Sequence, residues 1–224
     1  MNSISKAEEN HLKAIFNLCE EFGKPASTNA IAKIMKTKAA SVTAMIIRLS
    51  EKKDPPLVHH QKHKGARLTE AGKKIATNLI RKHRLWETFL VEKLNFSWDE
   101  VHEIAEELEH IKAEKLIDRL DEFLGRPKFD PHGDPIPDAE GNFTFRKQIL
   151  LTELTENKTA VVVGVLDDSP SFLQYLDKLN LVLGAKVKVL ERIEYDGSNR
   201  IILNDSHEQI LTNKVCQNLY VKTL

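Results

Sequence analysis

The sequence has little cysteine: its 224 residues include only Cys19 and Cys216. Two cysteines are too few for the disulfide framework of a small secreted domain. No apolar stretch reaches the roughly 18 residues that a membrane-spanning helix needs, and the N-terminus lacks the apolar segment of a signal peptide. With 41% hydrophobic and 29% charged residues, the composition is that of a globular protein. We therefore expect a cytoplasmic protein with no membrane partner.

Net charge is also absent, since 33 basic residues balance 33 acidic ones. The balance is a cancellation between segments. Residues 1–84 carry 17 basic and 7 acidic side chains, residues 85–145 carry 6 and 16, and residues 146–224 carry 10 of each. A segment of net charge +10 suggests a polyanionic partner, and one of −10 suggests cations. Mutual attraction between the two segments is the alternative that charge alone leaves open.

The first 72 residues predict three helices and a basic hairpin. A capping box, Ser5 to Glu8, begins the first helix, and Gly23 ends it. Ser27 or Thr28 caps a second, short helix. The third helix is expected from about 39 to 52, and the two strands at 57–60 and 66–68. This order is that of a winged helix-turn-helix.

The remainder predicts more helices and then a β tail. A long helix capped by Thr69 should run to about residue 94, followed by helices at about 97–111 and 113–124. Residues 126–144 are rich in proline and glycine and predict a loop. Strands are expected at 160–166, 187–193, 200–203 and 219–222, with a short helix at 171–179. The fold class is therefore mainly α, with a small C-terminal β-barrel.

Short and basic side chains mark the third predicted helix. It is the second helix of the helix-turn-helix motif, and in such proteins that helix enters the major groove. It is expected to open within residues 36–41, where Lys36 and Lys38 can meet phosphates. Small side chains there would let the helix approach base edges, and the hairpin would add basic groups. The candidates for these roles are Ala40, Ser41, Thr43 and Ala44 in the helix and Lys62, Lys64 and Arg67 in the hairpin. A solvated basic helix in a generic three-helix domain is the alternative.

Histidine and glutamate recur at helical spacing in the acidic segment. His83 and Glu87 lie about 40° apart on one helix, and a second helix carries His102, Glu106, Glu109 and His110 within a stripe about 100° wide. Such ligand-type side chains could surround cations, although a solvated acidic face would show the same residues. Nitrogen and oxygen ligands without thiolate favour Mn²⁺ or Fe²⁺, while Zn²⁺, Co²⁺ and Ni²⁺ could also bind.

These motifs resemble those of the diphtheria-toxin-repressor family of iron- and manganese-dependent transcriptional regulators. The resemblance is carried by residues 81–87 and 101–110, and it extends over nearly the whole chain. It implies a homodimer that binds a palindromic double-stranded DNA operator when loaded with metal, and no small organic substrate. It also implies a DNA-binding domain at 1–72, a metal-binding and dimerisation domain at 73–145 and a Src-homology-3-like barrel at 146–224.

The resemblance divides the ligands between two sites. His83, Glu87 and His102 match one site, to which the barrel adds a carboxylate near Asp168 in the family. A second group matches the other site: Glu106, Glu109, His110 and a side chain of the first helix. Glu106 stands where iron-type members have cysteine, as in manganese-type members. Where the family's first helix offers methionine or aspartate, this chain has the weaker ligand Asn10, so either its carbonyl oxygen binds or Glu9 substitutes.

Two other functions fit parts of the pattern. A di-metal enzyme could use the same carboxylate and histidine stripe, but the sequence contains no glycine-rich phosphate loop and no nucleophile elbow. A metal-independent regulator whose sites have decayed would fit Asn10. We expect a non-enzymatic repressor of metal-uptake genes.

Overall fold

The computed structural model describes residues 4–53, 55–61 and 64–224. Its helices are α1 (Lys6–Phe22), α2 (Thr28–Ile34), α3 (Ala39–Ser50), α4 (Glu70–Leu94), α5 (Val101–Leu108), α6 (Glu114–Phe123), α7 (Pro170–Lys178) and α8 (Asn213–Cys216). Its strands are β1 (Val58–Gln61), β2 (Gly65–Leu68), β3 (Ile149–Leu150), β4 (Thr159–Val165), β5 (Lys186–Arg192), β6 (Asn199–Leu203), β7 (His207–Leu211) and β8 (Leu219–Thr223).

The described residues form two compact units. The first comprises the described residues up to 83, together with 108–118 and 137–143, and the second comprises 84–107, 119–136 and 144–224. The domain limits expected at residues 72 and 145 stay a prediction.

Local signals set the ends of α1 in the first unit. The Ser5 hydroxyl accepts a hydrogen bond from the backbone N–H of Glu8, and the Glu8 carboxylate accepts one from the backbone N–H of Ser5. At the other end, Gly23 adopts φ 63°, the left-handed conformation that closes a helix. Both ends agree with the sequence prediction.

The winged helix-turn-helix is formed by α1, α2, α3 and the antiparallel hairpin β1–β2, in which Val58 pairs with Leu68. Its core contains the fully buried side chains of Leu12, Ile15, Ile31, Ile46 and Leu49. Ala66 also pairs with Ala26 in an isolated bridge that ties the hairpin to the turn after α1. The winged helix-turn-helix predicted from the sequence is confirmed.

The second unit contains the small β-barrel domain. Its six strands form one antiparallel sheet in the order β3-β8-β4-β5-β6-β7. Bulges interrupt the register between Val162 and Gly164 in β4 and between Val189 and Glu191 in β5, and bulges of this kind bend strands at barrel rims. The sequence did not predict β3, β7 or α8, which are short or polar. The fold class, mainly α with a barrel of the Src-homology-3-like type, is confirmed.

A loop at 130–136 lies directly against β4. Val165 donates its backbone N–H to the carbonyl of His132 at 3.0 Å, and the Arg146 guanidinium donates to the carbonyls of Gly133 and Val163. Gly133 adopts φ 90°, and a Cβ atom there would lie 2.2 Å from the Val163 carbonyl oxygen. Only glycine fits this approach.

The helix expected over about 97–111 is shorter than predicted. Ser97 and Glu100 form the expected hydrogen bonds, but regular helix spans only Val101–Leu108. Glu109 and His110 lie in the following turn, where tertiary partners hold their side chains. In the described part of the chain, no helix is both long and apolar enough to cross a bilayer.

Candidate metal and DNA-binding sites

A buried glutamate on α4 lies between two imidazoles. Glu87 follows His83 by one helical turn on the unbroken helix α4, and both side chains are buried. Its Oε1 atom is 3.5 Å from Nδ1 of His102, and its Oε2 atom is 3.7 Å from Nδ1 of His132. Sequence reasoning identified His102 but missed His132.

His132 belongs to the loop against β4. Its Nε2 donates a hydrogen bond to the Trp98 carbonyl at 2.8 Å, which leaves Nδ1 facing Glu87. Burial lowers the pKa of His132, but the hydrogen bond and charge of Glu87 outweigh burial and raise it to about 9. Asp130 accepts the backbone N–H groups of His132 and Asp134, each at 2.9 Å. Burial and the charges of Asp134 and Glu87 raise the pKa of Asp130 to about 7.

Glu109 is a second buried carboxylate. Its Oε2 atom lies 2.6 Å from both Nδ1 of His83 and Nζ of Lys13. Burial raises the pKa of Glu109, but His83 and Lys13 more than compensate, so that the net shift is downward. Lys13 was not among the residues that the sequence singled out, because a lysine on a predicted amphipathic helix is usually a surface residue.

The turn after α5 also reaches the start of α1. Nδ1 of His110 lies 2.6 Å from Oε2 of Glu9, and Nε2 of His110 lies 3.8 Å from Oε1 of Glu109. Among the described residues, the buried atoms Oε1 of Glu109 and Oδ1 of Asn10 have no hydrogen-bond partner. Buried oxygen acceptors without a donor are costly, and a cation satisfies them. The carboxylate, amide and imidazole atoms of this group are therefore chemically suited to bind a divalent metal.

The remaining predicted ligands are more exposed. His102 and Glu106 are about half exposed, and Oε1 of Glu106 lies 3.8 Å from Nε2 of His102. Asp168 is exposed in the loop between β4 and α7. Because α5 ends at Leu108, the four-residue stripe over 102–110 is not continuous helix. The sequence interpretation was wrong in that respect, while the metal-ligand roles stay predictions.

The candidate DNA-binding face lies on α3 and the hairpin. Ala40, Ser41 and Ala44 are exposed, on the side of α3 opposite the buried Val42 and Ile46. The half-buried Thr43 donates its hydroxyl hydrogen to the Ala39 carbonyl, as Ser and Thr commonly do inside helices.

The basic candidates flank this face. Lys38 is the N-cap of α3, and Lys36 lies in the preceding turn with φ 48°, just before the helix begins. Both are exposed. Lys64 and Arg67 are exposed on the hairpin, and Arg67 donates to the Gly23 carbonyl at 3.1 Å. Lys62 lies outside the described residues.

Three known domains match successive parts of the chain. Residues 3–66 match the N-terminal DNA-binding domain of iron-dependent repressors, and residues 69–138 match their metal-binding and dimerisation domain. Residues 149–223 match the FeoA domain.

Solved structures match over almost the whole length. A manganese-dependent transcriptional repressor in complex with manganese is 32% identical, with a TM-score of 0.85 over 97% of this chain and 100% of that chain. ScaR with bound Zn²⁺ is 31% identical, with a TM-score of 0.72 over 97% of this chain and 99% of its own.

Curated relatives match over differing lengths. The iron-dependent repressor IdeR of Mycobacterium leprae is 29% identical, and the match covers 94% of each protein. A Chlamydia trachomatis protein named "Probable metal transport system membrane protein" is 46% identical over 70 residues, which are 31% of this chain and 16% of that protein.

Proposed function

Since this chain belongs to the diphtheria-toxin-repressor family of iron- and manganese-dependent transcriptional regulators, we propose that it represses transcription when its metal sites are filled. The family comprises DNA-binding repressors and not enzymes, which removes the di-metal enzyme from the candidates. The observation that carries the proposal is the group of buried, partly unsatisfied oxygen atoms at the first turn of α1 and the turn after α5. They lie in the same compact unit as the DNA-binding helix α3.

Two groups of residues would hold the metal. The first comprises His83, Glu87 and His102, with Asp168 as a further candidate. The second comprises Glu106, Glu109 and His110, completed by Glu9, Asn10 or both. The contact of Glu9 with His110 and the unsatisfied Oδ1 of Asn10 support a contribution from each.

The ion itself would supply positive charge, which would let the buried carboxylates of Glu87 and Glu109 remain ionised. A ligand set of imidazole, carboxylate and amide, without thiolate, favours Mn²⁺ or Fe²⁺. Zn²⁺, Co²⁺ and Ni²⁺ are possible substitutes.

The first turn of α1 is the segment of the protein that would respond to metal binding. Glu9 and Asn10 would hold the metal together with Glu109 and His110, and this turn would then be fixed in one position within the DNA-binding unit. The DNA-competent state would then be favoured, because these residues would bind metal more tightly in that state than in the others.

DNA recognition would use a homodimer. Two copies of α3 would enter successive major grooves of a palindromic operator, while Lys36, Lys38, Lys62, Lys64 and Arg67 contact phosphates. Repression of metal-uptake genes and a cytoplasmic location complete the proposal.

The deciding experiment is a DNA-binding titration with and without Mn²⁺. A double variant, Glu109→Gln with His110→Ala, removes two ligands, and Glu107→Gln changes an exposed glutamate of α5 as a matched control. We expect Mn²⁺ to raise operator affinity by about 10- to 100-fold in the wild type and the control, and by less than about threefold in the double variant. Equal affinity with and without Mn²⁺ in the wild type would instead favour the metal-independent regulator.

A further inference from the structure

The first turn of α1 carries a second acidic side chain, Glu8, which faces away from the candidate metal ligands. Glu8 precedes Glu9 and Asn10, and successive residues of a helix project about 100° apart. Its side chain is 1% exposed. One oxygen, Oε2, accepts the capping-box hydrogen bond from the backbone N–H of Ser5. The other, Oε1, faces the third helix.

Glu8 pairs with two cations, Arg48 in the last turn of α3 and Lys52 just beyond the end of that helix. Its Oε1 atom lies 3.1 Å from Nζ of Lys52 and 3.3 Å from Nη2 of Arg48. Lys52 and Arg48 are four residues apart, so a single buried carboxylate contacts both the last turn of α3 and the residue that follows its C-cap. Ion pairs that are fully exposed are weak, but here the carboxylate is shielded from water.

The same turn of α1 therefore has two attachments. Glu9 contacts His110 on one side, and Glu8 contacts α3 on the other. All of these residues, from α1 to Lys52 and His110, lie within the first compact unit. An energetic link between two sites needs a physical element that both sites bias, and this turn is such an element.

We infer that Glu8 is a positioning residue that transmits ion binding at the first turn of α1 to the recognition helix α3. The inference rests on the proposed function, because it assumes that Glu9, Asn10, Glu109 and His110 hold the metal. It adds the physical contact, between Glu8 and the end of α3, through which the recognition helix would respond to metal binding. Glu8 itself touches neither metal nor DNA in this mechanism.

The test compares Glu8→Gln with Glu21→Gln, a control at an exposed position of the same helix. The measured quantity is the ratio of operator dissociation constants without and with saturating Mn²⁺. We expect Glu8→Gln to reduce this ratio about tenfold, while Mn²⁺ affinity of the DNA-free protein changes less than about twofold. The control should retain the wild-type ratio.

A reciprocal measurement separates transmission from a general loss of stability. Linkage requires that operator DNA raise Mn²⁺ affinity by the same factor by which Mn²⁺ raises operator affinity. In Glu8→Gln this enhancement of Mn²⁺ binding should fall by the same factor of about ten. Hydrogen exchange of α3 amides should show protection by Mn²⁺ in the wild type and little in the variant.

Lys52→Gln provides a second variant that leaves Glu8 and its capping box in place. If Lys52 only adds charge for DNA, both dissociation constants rise and their ratio is unchanged. If it receives the signal from Glu8, the ratio falls. A wild-type ratio of one would defeat the proposed function and this inference together. A large wild-type ratio that both variants retain would overturn this inference alone.

Discussion

Nδ1 of His110 lies 2.6 Å from Oε2 of Glu9, and this contact joins residues 101 positions apart in the sequence. The Glu9 and His110 side chains are largely buried, with exposed fractions of 17% and 5%. Asn10 is neutral and is a weak metal ligand on its own. The contact places a carboxylate beside the imidazole, which gives the second candidate site a negative charge that Asn10 cannot supply.

Replacing Glu9 tests this role directly. Glu9→Gln keeps the shape of the side chain but removes the charge, so the affinity for Mn²⁺ should fall about tenfold or more. Calorimetric titration measures this affinity. Glu20→Gln, at an exposed position on the same helix, is the control and should bind Mn²⁺ like the wild type. Unchanged binding by Glu9→Gln would assign the role to Asn10 alone.

Converting Asn10 to aspartate should have the opposite effect on metal binding. Oδ1 of Asn10 is buried without a hydrogen bond from the described residues, and a charged oxygen there is better satisfied by a cation. Asn10→Asp should bind Mn²⁺ about tenfold more tightly, but should melt at a lower temperature in chelator. Asn17→Asp adds the same charge at an exposed position of α1. If both variants bind Mn²⁺ equally, Asn10 does not contact the metal.

The phosphate contacts can be counted from the salt dependence of DNA binding. Lys38 and Lys64 are exposed beside the α3 face. Because a homodimer presents each lysine twice, Lys38→Ala or Lys64→Ala should each reduce the slope of log affinity against log salt by about 2. Lys147→Ala removes an exposed lysine of the second unit and should leave the slope unchanged. If Lys38→Ala or Lys64→Ala retains the slope of the wild type, the substituted lysine does not contact DNA phosphates.

The contact between His132 and Glu87 predicts how stability depends on pH in metal-free protein. The pKa of His132 is raised from 6.5 to about 9, so the folded state binds its proton more tightly than the unfolded state. The resulting stability is fully present below pH 6.5 and is lost as pH rises through about 9. Urea unfolding in chelator measures it.

The matched variants for this experiment are His132→Gln and His207→Gln, the latter at an exposed position of the barrel. His132→Gln should lose stability at pH 6 and show a flatter decline toward pH 9.5, whereas His207→Gln should follow the wild type. A wild-type decline in His132→Gln would mean that other groups cause the pH dependence. Asp130, whose pKa is raised to about 7, is the next group to examine.

Periodicity and capping predicted most of the helices, because their signals are local. The Ser5 capping box and the left-handed Gly23 delimit α1 as expected. The end of α5 was missed, since Glu109 and His110 leave the helix for partners on α4 and α1 that are distant in sequence. The polar strand β7 has little apolar alternation, and its place in the sheet depends on pairing with β6.

For the candidate sites, spacing identified residues that share a helix but not those supplied by other elements. His132 lies in a proline- and glycine-rich loop, and Lys13 lies on the amphipathic helix α1. Their positions near Glu87 and Glu109 follow from tertiary packing. One sequence signal does point to His132: it is a histidine within the turn Asp130-Pro-His-Gly133, where backbone geometry is closely constrained.

The close approach of Gly133 to β4 has a consequence for shortened forms of this protein. A truncation after residue 145 would remove Val165, which donates to the His132 carbonyl, and Arg146, which donates to that of Gly133. The loop that places His132 beside Glu87 would then lose its support, and two carbonyls would need new donors. The barrel is therefore needed to support the loop that carries His132. A two-domain descendant of this chain would need compensating changes within residues 130–136 before it could dispense with the barrel.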